Sequence, residues 1–122
     1  MFHFFKSIGY KPSYEKPLNN NGKTNHYKDK ILKKIEILIN SKISWKILHY
    51  SGHGEKDFGD WILLGKKKRL EVIKLDEIME LWKKRGNKNP KDKLFLILDC
   101  CSSNKWGDIL IDKYQECKNV YM

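Results

Sequence analysis

Two short apolar runs constrain the fold of this chain more than any other feature. They span residues 45–50 (WKILHY) and 94–98 (LFLIL), and their apolar residues are too continuous for a strand with one face in water. Such runs are typical of strands in parallel sheets, which are covered on both faces. Between them, residues 75–82 carry apolar side chains at the i, i+3, i+4 and i+7 spacing of a helix. The pattern therefore predicts two parallel strands joined by a helical crossover.

The rest of the chain continues this alternation of helices and strands. It predicts a helix from Tyr27, a hairpin of residues 61–64 (WILL) and 70–73 (LEVI), a helix around Trp106, and a last strand in residues 119–122 (NVYM). Residues 1–27, with two prolines and an NNNG run, are expected to be an irregular segment. The fold class that we expect is α/β, a three-layer sandwich with a mostly parallel central sheet, formed by residues 28–122 as one domain.

The basic composition does not by itself indicate a nucleic-acid partner. The net charge is +10, yet only Arg69 and Arg85 are arginines among the 25 basic residues. A surface that binds nucleic acid normally uses more arginine, because the planar guanidinium matches phosphates and bases. We therefore expect a solvated, lysine-rich surface and no nucleic-acid partner.

The sequence also bears on the compartment. No apolar run is long enough to cross a bilayer, and the first residues lack the pattern of a secretory signal, so we expect no membrane partner. Three cysteines, two of them adjacent, make a poor disulfide framework. Free thiols in a reducing, cytoplasmic setting fit this usage better.

Both predicted parallel strands end in chemically reactive residues. One ends in YSGHG (residues 50–54) and the other in DCC (residues 99–101). Because the carboxyl ends of neighbouring parallel strands meet at one sheet edge, His53 and a cysteine are expected to lie together. A histidine can take the proton of a thiol and later protonate a leaving amine. The N–H groups of Gly54 and of the nucleophile are the expected donors to an oxyanion.

The same residues also have purely structural interpretations. Cys100 and Cys101 could fill the core as small hydrophobic side chains, which is the role that we expect for Cys117. Ser51 and Asp99 could be turn residues whose side chains bond the local backbone. The residue types alone leave these alternatives open.

Metal binding by the histidines is not expected. His49 alternates with Ile47 in the first apolar run and is interpreted as an ordinary strand residue. The spacing of His49 and His53 falls on a predicted strand, and the chain contains no Cys-x-x-Cys. Neither feature is typical of a zinc site.

The two motifs resemble those of the caspase-like cysteine peptidases, and most of all the metacaspases. In that family a tyrosine or phenylalanine precedes Ser-Gly-His-Gly, and Asp-x-Cys follows a later hydrophobic strand. Here Cys101 follows His53 by 48 residues, and the matching order of motifs covers residues 28–122. The resemblance implies a caspase-like fold with His53 as the catalytic base and Cys101 as the nucleophile.

The resemblance also implies a specificity. Ser51 and Asp99 match positions that line the S1 pocket of the family, and an aspartate there favours a basic residue. Cleavage after Arg or Lys is therefore expected, since a buried carboxylate at the floor of a pocket selects a cation. Many metacaspases bind calcium through an acidic cluster. Asp108 matches one such position, whereas the paired aspartates that follow the hairpin in the family are missing here. We expect no required cofactor, and the resemblance leaves calcium open.

The chain departs from the family pattern after the cysteine and at both ends. Residues 102–104 (SSN) replace a glycine-containing turn, we find no first strand in residues 1–27, and further strands would be expected after residue 122. Two functions are consistent with this pattern. The first is a cysteine-type endopeptidase acting on proteins or peptides, and the alternative is a catalytically inactive, caspase-like interaction module. A sheet edge exposed by the missing strands would favour a homodimer.

Overall fold

The computed structural model describes residues 2–5, 13–15, 27–64, 70–86 and 88–122. Their elements, in chain order, are β1 Phe2–Phe5, β2 Ser13–Glu15, α1 Tyr27–Ile39, β3 Trp45–Ser51, β4 His53–Gly54, β5 Trp61–Leu64, β6 Leu70–Ile73, α2 Leu75–Lys84, β7 Lys93–Asp99, α3 Asn104–Lys113 and β8 Val120–Tyr121. The fold is mixed α/β, as the alternating pattern predicted. Within the described part of the chain, no helix has both the length and the apolar character needed to cross a bilayer.

The strands form two sheets. The larger sheet has the order β2-β1-β3-β7-β8, in which β3, β7 and β8 run parallel and β1 and β2 are antiparallel. The smaller sheet, β4-β5-β6, is antiparallel and contains the predicted hairpin β5–β6. The residues that connect this hairpin, 65–69, lie outside the described residues.

The N-terminal segment differs from our expectation. We expected residues 1–27 to be irregular, but β1 pairs along β3, and β2 pairs with β1. Strands of four and three residues are too short for period-2 alternation to be recognised in the sequence. Backbone pairing of β1 with β3, and of β2 with β1, stabilises these strands instead. The prolines and the NNNG run of this segment lie outside the described residues.

All three described helices lie on one face of the larger sheet, which we call the inner face. The predicted apolar stripes of α1 and α2 are buried as expected: Ile31, Ile35, Leu38 and Ile39 in α1, and Leu75, Ile78, Met79 and Trp82 in α2. They pack with the inward side chains of β3 and β7, among them Leu48, Leu94 and Leu96. The inner face and these helices therefore form the core.

The opposite face of the sheet corrects two expectations. Burial alternates along β3 and β7, so every second side chain is exposed or half-buried, and Ile97 is 49% exposed. The outward side chains of β3 and β7 are therefore less buried than the inward ones. Among the described residues no helix covers this outer face, so the expected third layer is absent there. The apolar runs were continuous because both faces carry apolar side chains, not because both are buried.

A stack of three aromatic rings joins the two sheets to α3. Tyr50 of β3 stacks on Trp61 of β5 with ring centroids 4.3 Å apart, and Trp61 stacks on Trp106 of α3 at 4.8 Å. All three side chains are buried. Offset stacked rings of this size contribute more than their area burial alone. The stack therefore fixes the smaller sheet and α3 on the same side of the larger sheet.

A buried ion pair lies at the opposite end of β3 and β7 from the YSGHG motif. The Lys46 ammonium is fully buried, lies 3.3 Å from the Asp92 carboxylate and donates to the Ile43 carbonyl. Asp92 is 2% exposed. Removing one member of such a pair leaves an uncompensated buried charge.

We therefore expect Asp92→Ala to lower the free energy of unfolding by about 3 to 5 kcal/mol. The matched control is Glu80→Ala, which removes a carboxylate from an exposed helical pair with Lys84 and should cost about 0.5 kcal/mol or less. Urea unfolding measures both variants. The double variant Lys46→Met/Asp92→Ala should recover part of the loss, because no charge is then left unpaired. Equal costs for Asp92→Ala and Glu80→Ala would contradict this account.

Candidate functional site

The two predicted strand ends meet, as the sequence indicated. β3 and β7 are parallel neighbours, and their last residues, Ser51 and Asp99, are paired in register. The Gly52 N–H extends the pairing by donating to the Asp99 carbonyl at 3.2 Å. His53 directly follows Gly52, and Cys101 is the second residue after Asp99. The structure therefore brings the histidine loop and the cysteine loop to one edge of the sheet.

A hydrogen bond from Tyr50 sets the path of the histidine loop. The Tyr50 hydroxyl donates to the His53 carbonyl at 2.6 Å, and the Ile62 carbonyl lies 3.4 Å away. Burial raises the pKa of Tyr50 well above its ordinary value, so the hydroxyl keeps its proton and remains a donor. Gly52 makes room for this ring, because a Cβ at that position would lie 2.7 Å from the hydroxyl oxygen. Sequence analysis matched Tyr50 to the motif but assigned it no such role.

Pairing with the smaller sheet holds the histidine outward. His53 and Gly54 leave the larger sheet and pair with Ile62 and Trp61 of β5. The His53 side chain is exposed at this point. The chain therefore passes at Gly52 from the larger sheet to the smaller one, and the imidazole of His53 is exposed to solvent just after the end of β3.

The backbone of Gly54 lies directly against the backbone of Cys101. A Cβ on Gly54 would be 2.1 Å from the Cys101 carbonyl oxygen and 3.1 Å from both its carbonyl carbon and its nitrogen. No side chain fits in that space, so the glycine is required by close approach of the two loops. This contact is the most direct link in the structure between the histidine motif and the predicted nucleophile.

A second close approach lies beside the first. Gly59 has a φ of +72°, and a Cβ there would lie 2.4 Å from the Ser102 carbonyl oxygen. Ser102 itself has a φ of +57°, and its hydroxyl donates to the Lys56 carbonyl at 2.8 Å. Ser102, directly after Cys101, thus adopts a left-handed conformation that is costly for a residue with a Cβ, and its hydrogen bond offsets part of that cost. Sequence analysis did not identify Gly59, although an isolated glycine in a polar loop is a signal for such a position.

Glu55 orders the loop between these two contacts. Its carboxylate accepts bonds from the N–H groups of Asp57 at 2.8 Å and Phe58 at 2.6 Å. Its own N–H donates to the Asp60 carbonyl at 2.7 Å, and its carbonyl accepts from Gly59 at 2.8 Å. The loop is therefore a closed turn, and its Lys56 carbonyl accepts the hydrogen bond from the Ser102 hydroxyl.

The three cysteines differ in exposure. Cys101 is exposed, whereas Cys100 and Cys117 are half-buried and pack against the core. Burial raises the pKa of the Cys100 thiol, and the neighbouring Cys101 and Asp99 raise it further. Burial also raises the pKa of the Cys117 thiol, which lies in a turn after α3 and not on the helix itself. Of the adjacent pair, Cys101 is therefore the thiol that a substrate could reach.

The structure brings Ser51 and Asp99 together but does not bury them. The Ser51 hydroxyl donates to the Asp99 carboxylate at 3.2 Å, and the Asp99 side chain is exposed. The sequence interpretation placed a buried carboxylate at the floor of a pocket. An exposed carboxylate attracts a cation less strongly, because water screens the charge.

The described residues do not fit a calcium site. Asp108 is exposed on α3. No three histidine, cysteine, aspartate or glutamate side chains in the described ranges gather closely enough to hold a metal ion.

Comparisons with protein-family models, with curated protein sequences and with solved structures find no match to this chain. The geometry described above therefore carries the functional argument by itself.

We expect Gly54→Ala to separate the two loops, because its Cβ has no space beside Cys101. The free energy of unfolding should fall by about 1 to 3 kcal/mol, the usual cost of overpacking. Gly107→Ala is the matched control, since its Cβ would meet only the Met122 sulfur at 3.8 Å and a helical alanine gains up to about 1 kcal/mol over glycine. Urea unfolding of both variants checks this, and a Gly54→Ala protein as stable as Gly107→Ala would refute the close contact.

We also expect iodoacetamide to modify Cys101 before the other two thiols in the folded protein. At pH 7.5 the rate at Cys101 should exceed that at Cys100 by about fivefold or more, since burial both shields Cys100 and keeps it protonated. The difference should narrow only at alkaline pH, because burial raises the pKa of the Cys100 thiol. Peptide mapping by mass spectrometry measures the three rates, and unfolded protein in urea serves as the control. Equal rates at the adjacent cysteines of folded protein would count against the assignment.

Proposed function

We propose that this chain is a caspase-like cysteine endopeptidase of the metacaspase type, with Cys101 as nucleophile and His53 as base. The observation that carries the proposal is the backbone contact between Gly54 and Cys101 at the ends of two parallel strands in register. This contact supports a site in which a histidine motif and a cysteine motif, 48 residues apart, act together.

The proposed reaction begins with the exposed thiol of Cys101. Its sulfur attacks the carbonyl carbon of the scissile peptide bond while its proton passes to the His53 imidazole. The tetrahedral intermediate collapses, the carbon–nitrogen bond breaks, and His53 returns the proton to the leaving amine. The product is a thioester on Cys101. Water then attacks the thioester carbon while His53 accepts a proton from it. The carbon–sulfur bond breaks, the carboxylic acid product leaves, and His53 returns the proton to the Cys101 sulfur.

Backbone groups support the charges of this reaction. The N–H groups of Gly54 and Cys101 are the proposed donors to the oxyanion, and both belong to the two loops in contact. Tyr50 contributes through the His53 carbonyl, so it acts as a positioning residue.

The proposed substrates are peptides with Arg or Lys before the scissile bond. The charge that supports this choice is the Asp99 carboxylate, which the Ser51 hydroxyl orients at the end of the two strands. Because Asp99 is exposed, we expect a preference for basic residues over acidic ones and not an absolute requirement. The proposed setting is the cytoplasm, where the three free thiols would stay reduced.

The test is hydrolysis of fluorogenic peptides that end in Arg, Lys or Asp, with and without calcium. We expect turnover of the Arg and Lys peptides, at least about a thousandfold loss in Cys101→Ala and His53→Ala, and retention of activity within a few-fold in Cys100→Ala. Asp99→Asn should raise KM for the Arg peptide more than it lowers kcat. Circular dichroism confirms that each variant is folded.

Two results would overturn the proposal. Turnover that survives Cys101→Ala would assign the activity to another group. A folded wild-type protein without turnover on any peptide, with or without calcium, would favour the alternative, a catalytically inactive interaction module that retains the architecture of the site.

A further inference from the structure

On β3, β7 and β8 the outer face of the larger sheet carries large apolar side chains with polar ones among them. The alternation of burial and the strand registers place on this face Trp45, Ile47, His49 and Ser51 of β3, Lys93, Phe95, Ile97 and Asp99 of β7, and Tyr121 of β8. Parallel strands are normally covered on both faces. On this face no described helix supplies the cover.

Three aromatic rings lie together on the part of the outer face where β3 and β7 begin. Trp45 and Phe95 lie with ring centroids 5.7 Å apart, and Phe95 stacks on Tyr121 at 5.2 Å. Trp45 is 50% exposed, Ile97 49% and Tyr121 42%. Contiguous exposed patches of large apolar side chains usually mark an interaction surface.

The charges at the two ends of this face have opposite sign. Along β7 the outward side chains are Lys93, Phe95, Ile97 and Asp99, so a cation and an anion enclose two apolar residues. The Lys93 ammonium lies 5.4 Å from the centre of the Trp45 ring, on the aromatic surface itself. When such a row faces a second, antiparallel copy, Lys93 of each row lies opposite Asp99 of the other, and Phe95 lies opposite Ile97. The row is therefore complementary to itself.

We propose that a second copy of this chain covers the outer face, in a two-fold symmetric dimer whose two sheets pack face to face with antiparallel β7 strands. An isologous interface requires a surface that is complementary to itself, and the charge order of β7 meets this requirement. Two sheets packed in this way lie about 10 Å apart, a distance that interdigitating aromatic and aliphatic side chains fill. The second copy supplies on this face a layer that the described helices do not supply.

This dimer differs from pairing at a sheet edge. Edge pairing uses the backbone of β8 or β2, whereas the proposed interface uses the side chains of β3, β7 and β8. The two proposals share Asp99, which the dimer pairs with Lys93 of the second copy and the proposed peptidase assigns to a basic substrate residue. Their readouts differ, because the dimer is tested by molecular mass and the peptidase by turnover.

Sedimentation equilibrium over a concentration series tests the proposal at about 0.15 M salt, where repulsion between two chains of charge +10 is largely screened. We expect the wild type to pass from 14.6 kDa to twice that mass as concentration rises. Ile97→Glu should weaken dimerisation by at least about tenfold, since it places an unpaired charge inside the apolar interface.

The matched control is Ile111→Glu, the same substitution at an isoleucine of α3 that is 66% exposed. It should dimerise like the wild type. A wild type that remains monomeric at every concentration would overturn the proposal. A dimer that Ile97→Glu does not weaken, or that Ile111→Glu weakens equally, would also overturn it.

A charge exchange tests the antiparallel arrangement separately. Lys93→Asp and Asp99→Lys should each weaken the dimer, because like charges then face each other across the two-fold axis. The double variant Lys93→Asp/Asp99→Lys restores opposite charges at both ends and should dimerise within a few-fold of the wild type. If the folded double variant does not regain dimerisation, the antiparallel arrangement is contradicted.

Discussion

The parallel pairing of β3 with β7 is the constraint on which the rest of the structure depends. The two strands stay in register over their whole length, from Trp45 and Lys93 to Ser51 and Asp99. This register turns every second side chain toward the helices and ends both strands at the same level. A slip of one residue would move the core side chains of one strand to the outer face. It would also displace the histidine loop from the cysteine loop. The core and the candidate site therefore both depend on the register of β3 with β7.

Tyr50 connects the core to the candidate site, because its ring packs in the core and its hydroxyl bonds to the histidine loop. Its ring is part of the stack with Trp61 and Trp106, and its hydroxyl holds the His53 carbonyl. A fully packed aromatic ring has little freedom, so the bond that it makes is preorganised. The position of His53 therefore depends on the same contacts that fix the smaller sheet against α3. The serine and glycine that follow Tyr50 then serve distinct needs, a side-chain bond to Asp99 and space for the ring.

Elements with a clear hydrophobic period could be predicted from the sequence, whereas elements that depend on pairing with a distant strand could not. The stripe of residues 75–82 specified α2, and the strand ends indicated that His53 and a cysteine would meet, because both follow from spacing along the chain. β1 was missed, since a strand of four residues owes its structure to β3 and not to its own pattern. The exposure of the outer face was also missed, because apolar residues on a buried face and on an exposed face look alike in sequence. The close approach of Gly54 to Cys101 is a tertiary contact that no local pattern specifies.

The central claim is that His53 acts on Cys101 across the contact between the two loops. The measurement that tests it most directly is the rate of Cys101 alkylation by iodoacetamide at pH 7, in a Cys100→Ser/Cys117→Ser background with and without His53→Ala. It requires neither a substrate nor a complete pocket. The account predicts that removal of the imidazole slows the reaction by about tenfold or more, because a neighbouring histidine promotes the thiolate. Equal rates in two folded proteins would show that the two residues do not interact.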